Sequence, residues 1–293
     1  MKHKILYVLI ACILVLSACG GNDSNEQSKS ESSSSDASYH RIISLMPSNT
    51  EILYELGLKD DIIGVSTVDD YPKDVKNKDQ FDAMELNKEA LLKAKPDLIL
   101  AHESQKSTAG ETLKSVEDSG VKVVYIKDAQ SIDEMYQTFN QVGKVTGKEK
   151  ESKALVEETK SNINKVIDSV PENDQGQSVF MEVSSEPEIY TSGKGTFFDD
   201  MLKQLKAENS FSNLDSWQKV SKEDIIRKDP DVLVSTSGMS QKEYKDVIDK
   251  RGGFDQIKAV KNDHIEAVNG DQISRPGPRI DDGLKALRDA IYD

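Results

Sequence analysis

Two stretches of this chain, 134 residues apart, read almost as copies of each other. The first is Asn87-Lys88-Glu89-Ala90-Leu91-Leu92-Lys93-Ala94-Lys95-Pro96-Asp97-Leu98-Ile99-Leu100, and the second is Ser221-Lys222-Glu223-Asp224-Ile225-Ile226-Arg227-Lys228-Asp229-Pro230-Asp231-Val232-Leu233-Val234. Each reads as a short helix, a Pro-Asp break and an apolar run suited to a buried parallel strand. Proline disfavours helical geometry in the residue before it, so the helices are expected to stop at Lys95 and Asp229. Lys88, Glu89, Pro96 and Asp97 recur in register as Lys222, Glu223, Pro230 and Asp231. A chain that repeats this unit is constrained to two related α/β lobes, each with a glutamate at the start of the same helix.

The rest of the pattern fits around the repeat. Arg41 to Met46 reads as a strand, broken at Pro47-Ser48-Asn49, with a helix from Glu51 to Leu56. Ser48 and Glu51 have capping-box spacing, and Gly57 ends the helix. Strands are expected at 62–66, 98–101 and 121–126, with a helix near 110–119. Alternation of strands with helices implies a parallel sheet, whose ligands bind beyond the carboxyl ends of the strands. That puts Pro47 to Asn49, Thr67 to Tyr71 and His102 to Ser104 around one mouth. Ile132 to Val145 keep helical spacing up to Gly147, and an apolar stripe from Leu155 to Val170 follows. With no second crossover, one long helix is expected to join the lobes. The stripe has fewer than three clean heptads, so a monomer is expected rather than a coiled-coil dimer. The second lobe repeats the plan, with strands at 178–183, 188–191, 232–236 and 264–268 and helices at 197–205, 241–250 and 281–291. A charged, Pro/Gly-stiffened loop runs from Asn269 to Arg279.

The 293 residues divide as a leader 1–18, a tether 19–39, an N-terminal lobe 40–147, a connecting helix 148–171 and a C-terminal lobe 172–293. Lys2 and Lys4 precede twelve apolar residues, Ile5 to Leu16, too few to span a bilayer but right for a signal-peptide core. The run ends in Leu16-Ser17-Ala18-Cys19-Gly20, which resembles a bacterial lipobox. That resemblance implies cleavage before Cys19, its acylation and a lipid-anchored protein on the extracytoplasmic face of the cell membrane. Beyond Cys19 there is no cysteine, so the body has no disulfide or thiolate metal site. Gly20 to Ser38 is serine-rich and polar, a flexible tether reaching roughly 25 Å. The formal charge of −14 becomes −16 without the two leader lysines. That acidity argues against nucleic acid and against electrostatic adhesion to an anionic membrane.

Nothing in the sequence supports catalysis. The three histidines of the body, His40, His102 and His264, lack ligand spacing, and there is no G-x-S-x-G or H-E-x-x-H. Ser192-Gly193-Lys194-Gly195-Thr196 lacks the order of a phosphate loop. Binding has better support. Ser48 and Asn49 place free backbone N–H groups at a helix start on the mouth, although plain capping accounts for Ser48 alone. Trp217 and Tyr190 lie outside the apolar runs, in loops, where aromatics present a flat face to a ligand; core packing explains either alone equally well. Asp271, Arg275 and Arg279 cluster in the stiffened loop, as ligand contacts or as a surface salt bridge. Glu89 and Glu223 occupy one position in both lobes, suited to a symmetric partner with two basic pockets. Each could also simply favour its helix N-terminus, worth ~0.3–1 kcal/mol.

Lipobox, tether, paired lobes and connecting helix together resemble the substrate-binding proteins of ABC importers for cobalamin, haem and ferric siderophores. The similarity spans residues 40–292 and is carried by Arg41 to Glu51, Asp70-Tyr71-Pro72, Tyr190 to Lys194, Trp217 to Glu223 and the frame of Asp271, Arg275, Pro278 and Arg279. The cobalamin-binding branch is the most similar. The resemblance implies an α/β fold of two Rossmann-like lobes with parallel sheets joined by one long helix, of the class III periplasmic-binding-protein kind. It implies no enzyme and no resident cofactor, but a receptor that delivers cobalamin, or else haem or a ferric siderophore, to an ABC permease dimer. Ser48, Asn49, Tyr190, Trp217, Asp271, Arg275 and Arg279 are then ligand contacts, and Glu89 and Glu223 dock on the permease. The chain departs from the cobalamin branch at Val68, Ala83 and His102, which stand where aromatic walls are expected. Met84 resembles an axial ligand of the haem-binding branch. A lipoprotein enzyme or adhesin on the same scaffold is the reading from a different class.

Overall fold

Short apolar runs separated by capped helices build two sheets. A computed structural model describes residues 38–173 and 176–293. The leader, Cys19 and all but the last two residues of the tether lie outside the described residues. In the first lobe, strands β1 (Ile42–Ser44), β2 (Ile62–Ser66), β3 (Asp79–Phe81), β4 (Leu98–His102) and β5 (Lys122–Ile126) pair in the order β3-β2-β1-β4-β5. All these pairings are parallel. Helices α1 (Pro47–Glu55), α2 (Lys88–Ala94), α3 (Gln105–Thr108), α4 (Gly110–Glu117) and α5 (Ile132–Thr146) connect and cover them. Gly147, with φ +69°, ends α5, and α6 (Glu149–Asp168) leads to the second lobe.

There β6 (Ser178–Ser184), β7 (Tyr190–Ser192), α7 (Phe197–Gln204), β8 (Glu208–Asn209), β9 (Trp217–Lys219), α8 (Lys222–Lys228) and β10 (Val232–Ser235) are followed by α9 (Gln241–Asp249), α10 (Lys258–Lys261), β11 (Ile265–Ala267), α11 (Gly270–Ser274) and α12 (Ile280–Tyr292). The sheet order is β11-β10-β6-β7-β9, with β8 also on β6. β6, β8, β10 and β11 pair in parallel, whereas β7 is antiparallel to both β6 and β9. Tyr190 and Trp217 therefore sit on edge-side strands, not in loops. The stiffened stretch 269–279 is helical in its first half, because Asn269 accepts hydrogen bonds from the backbone N–H groups of Asp271 and Gln272 and caps α11.

The repeat has a physical purpose. Asn87 caps α2 and Ser221 caps α8, the latter in a full capping box with Asp224. Both helices end on a left-handed residue, Lys95 (φ 51°) and Asp229 (φ 45°), directly before the proline. The next aspartate then satisfies the neighbouring strand. Asp97 accepts from the backbone N–H of His40 (2.8 Å) and Arg41 (3.1 Å), and Asp231 from that of Ser178 (3.0 Å). Two parallel strands start side by side with their first donors paired.

Alternation along the strands sorts three cores. Ile42, Leu98, Leu100, Val179, Met181, Val232 and Val234 point inward and share one continuous apolar cluster with α5, α6, α7 and α12. Ile43, Ile99 and Ala101 point outward onto α2 and α4, and Phe180 and Leu233 onto α8 and α9. The outer edges of the two sheets are closed alike. Gln141 donates to the Tyr125 carbonyl (2.9 Å) and accepts from the Lys127 N–H (3.2 Å). Gln241 donates to the Ile265 carbonyl (2.5 Å) and accepts from the Ala267 N–H (2.7 Å). A side-chain amide in place of a partner strand blunts each edge.

The second lobe also buries an ion pair. Arg251 donates to both oxygens of Glu182 at 2.6 Å, with Tyr244 and Ser185 completing the shell. Both charged side chains are almost wholly inaccessible. Truncation of one member leaves an uncompensated buried charge. Arg251→Met is expected to lower stability by about 3–5 kcal/mol, read as a reduced urea midpoint at unchanged slope; an unshifted midpoint would show that the pair is not structural.

Candidate functional site

Between the lobes lies a cleft of about 410 Å³. The first lobe contributes the segments that leave its strands: Met46 to Ser48 after β1, Val68 after β2, His102 at the end of β4 and Asp128 to Gln130 after β5. The second lobe contributes Phe197, Trp217, Asp271, Ser274, Arg275 and Pro276. Trp217 is 42% exposed and is held edge-on against Phe198, ring centroids 5.4 Å apart. A flat indole is thereby presented to the opening.

Of the residues singled out in the sequence, Ser48, Trp217, Asp271 and Arg275 line this cleft, and Asn49, Tyr190 and Arg279 do not. α1 begins four residues earlier than the pattern suggested, because Pro47 at its first position supplies helical φ and has no N–H to lose. Met46 is the N-cap, and Ser48 makes no capping bond. Asn49 is buried and reaches back to the Ala101 carbonyl at 3.4 Å. Tyr190 is partly exposed on β7, away from the lining. Met84 is 70% exposed and also off the cleft.

Arg279 is committed to the first lobe. It donates to both carboxylate oxygens of Glu51, at 2.9 and 2.6 Å, and stacks 3.8 Å from the centroid of Tyr71. Glu51, 3% exposed, is therefore half of an inter-lobe ion pair rather than of a capping box. Arg275 continues the bridge, bonded to Asp70 at 2.5 Å and to Asp271 at 2.9 Å. The bond from Arg275 holds the Asp70 carboxyl below the usual carboxylate range. Burial opposes the charge on Arg275, but the bond to Asp70 and the charges of Asp271 and Glu51 outweigh it and raise its pKa.

His102, placed at the mouth by the sequence pattern but given no part in binding there, lines the cleft. Its backbone N–H donates to Gln105 Oε1 (2.7 Å), and the buried Gln105 side chain in turn donates to the carbonyls of Leu45 (3.2 Å) and Ala83 (3.4 Å). Nδ1 meets the Ser104 hydroxyl at 2.8 Å and the Ser104 N–H at 3.3 Å, while Nε2 lies 3.6 Å from Asp128 Oδ1. No spacing rule marks this set; only the end of β4 pointing at the mouth could have flagged it.

Glu89 and Glu223 are exposed second residues of α2 and α8, and neither carboxylate has a hydrogen-bond or ion-pair partner among the described residues. Each helix returns to a parallel strand, so its first turn stands at the end where the strands finish. The neighbouring lysines are engaged: Lys88 with Ser115 Oγ (2.6 Å) and Lys222 with Glu186 (2.6 Å).

Burial lowers the pKa of His102 from its ordinary 6.5, with Asp128 and Glu103 partly opposing. The unfolded chain then takes up a proton that the folded protein resists, so stability is intact above the unfolded value and declines as pH falls below it. The urea midpoint is expected to drop less between pH 7.5 and 5 in His102→Gln than in the parent; parallel profiles would contradict the assignment.

Residues 42–269 match the family model described as periplasmic binding protein. The chain is 36% identical to the ABC transporter substrate-binding lipoprotein YvrC of Bacillus subtilis, over 97% of this chain and 95% of that one. It is 27% identical to the vitamin B12-binding protein of Pectobacterium atrosepticum, covering 82% of this chain and 84% of the relative. A solved structure from Staphylococcus epidermidis, described as a possible iron-binding periplasmic solute-binding protein, is 66% identical with a TM-score of 0.82, covering 87% of this chain and 99% of that one. The two sheets, the cleft between them and these likenesses make the chain a member of the periplasmic binding protein family, an ABC transporter substrate-binding protein.

Proposed function

We propose that the protein captures a corrinoid, cobalamin or a close relative, in the inter-lobe cleft and hands it to an ABC permease. The observation that carries this reading is the charge balance of the cleft and its rim. Glu51, Asp70 and Asp271 are paired with two arginines, Arg275 and Arg279, and Asp128, beside His102, adds a fourth carboxylate with no arginine partner among the described residues. An anionic ligand entering here meets surplus negative charge and no uncommitted guanidinium. A neutral or cationic chelate with a polar amide periphery and an apolar face suits the Trp217 and Phe197 wall, Ser48 and Arg275. Haem, with two propionates, suits it poorly, and Met84 stands away from the lining.

A second reading, a neutral or cationic ferric hydroxamate, is favoured by the size of the cleft and by its one-sided aromatic wall. About 410 Å³ lies low in the range of small-molecule sites, and Val68 and His102 offer no ring stack opposite Trp217. The name of the Staphylococcus epidermidis structure points the same way.

For delivery, the paired free carboxylates of Glu89 and Glu223 support docking on basic pockets of a two-fold permease. Acylation of Cys19 would keep the receptor at the extracytoplasmic face, in keeping with the lipoprotein name of the Bacillus subtilis relative.

Calorimetric titration with cyanocobalamin is expected to give one site, weakened at least tenfold in Trp217→Ala. Binding of ferric hydroxamates alone would instead favour the second reading, and binding of haemin alone would contradict the charge argument. Glu89→Ala/Glu223→Ala is expected to leave solution affinity unchanged and to abolish uptake by cells; lost affinity, or normal uptake, would remove these residues from docking.

A further inference from the structure

The first-lobe wall of the cleft carries a polar pair, His102 and Asp128. His102 and Asp128 stand 3.6 Å apart, Nε2 to Oδ1, beyond hydrogen-bond range for each other. The imidazole's hydrogen can be placed from geometry. The backbone N–H of Ser104 is an obligate donor and points at Nδ1 from 3.3 Å, and the Ser104 hydroxyl lies 2.8 Å from the same atom. Nδ1 therefore accepts, and in the neutral ring the proton sits on Nε2, facing Asp128. Ser104 holds the ring at Nδ1, and the Gln105 side chain holds the His102 backbone and is itself tied to the carbonyls of Leu45, just past β1, and of Ala83. Asp128 is about half exposed, next to Ala129 and Gln130 on the same lining.

The wall thus offers one N–H donor and one carboxylate acceptor side by side. We propose that His102 and Asp128 read a primary carboxamide on the cargo, its carbonyl oxygen accepting from His102 Nε2–H and its NH2 donating to Asp128. A flat carboxamide carries acceptor and donor on one carbon, and it bridges two groups that are too far apart to bond each other. A carboxylate at the same place has no hydrogen to give Asp128 and is repelled by it. The pair is a selectivity element: it favours cargo whose periphery is amidated over the same cargo hydrolysed to the acid. It also runs against metal ligation by His102, since the nitrogen facing the cleft carries the hydrogen.

The inference rests on the corrinoid reading, and one experiment separates the two. Affinities of the mature chain and of Asp128→Asn are measured by calorimetry for cyanocobalamin and for its separated monocarboxylic acids, each with one peripheral carboxamide hydrolysed. The parent is expected to bind at least one acid ten or more times more weakly than cyanocobalamin. Asp128→Asn, which supplies an NH2 to a carboxylate, is expected to narrow that gap to threefold or less. A merely structural Asp128 would weaken all these ligands together. His102→Phe is expected to weaken cyanocobalamin while leaving the tryptophan emission of the free protein unchanged. If the parent binds cyanocobalamin and every monoacid equally, the amide pair is overturned and the corrinoid reading stands. If it binds none of them but binds a ferric hydroxamate, both are overturned.

Discussion

The ion pair between Glu51 and Arg279 constrains the whole cleft. Glu51 sits 3% exposed on the first helix of one lobe, and its partner comes from the start of the last helix of the other. A carboxylate so nearly removed from water requires a partner with good geometry, and the forked guanidinium supplies it. The pair fixes how the Pro276-Gly277-Pro278 stretch crosses the start of α1. There a Cβ on Gly277 would lie 3.8 Å from Glu51 Oε2 and 3.9 Å from Ser48 Cα. With Arg279 held, Arg275 falls between Asp70 and Asp271, and the rim closes over the cleft.

Behind the rim, the inner faces of both sheets drain into one apolar cluster through α5, α6, α7 and α12. Wide hinge opening would expose that cluster to water at a cost of roughly 25 cal/mol per Å². The ion pairs at the mouth are far cheaper to rearrange, because their outer members, Asp70 and Asp271, are solvated. On these energetics the rim is the part of the cleft that rearranges at least cost. If the proposed docking holds, a permease gripping Glu89 and Glu223, one on each lobe, would act on both sides of that rim at once.

Much of the architecture was legible because it follows from local chemistry. The Pro-Asp repeat marked two helix ends and two buried strands, and its left-handed caps and strand-satisfying aspartates explain why it recurs. Gly57 and Gly147 ended their helices where their sequence positions suggested. Short or edge pieces such as Asp79–Phe81 and Glu208–Asn209 were not legible, since their pairing is set by the neighbouring strand and not by their own pattern. The site was half legible. Trp217 stood out as an aromatic outside the apolar runs, and Arg275 as part of the charged cluster in a Pro/Gly-stiffened loop. The commitment of Arg279 to Glu51, across 228 positions, depends on a contact between lobes, and the turning of His102 towards Asp128 on the pairing of β4 with β5, and no local pattern encodes either.

The central claim is that a metal chelate of the corrinoid class sits in the inter-lobe cleft. Crystals grown with cyanocobalamin and measured at the cobalt absorption edge locate the metal without assumptions about the ligand's pose. One anomalous peak between Trp217 and the His102–Asp128 wall is the predicted result. A peak elsewhere, such as in the open hollow between β11 and α12, or no peak from crystals that bind the vitamin in no other way, would contradict it.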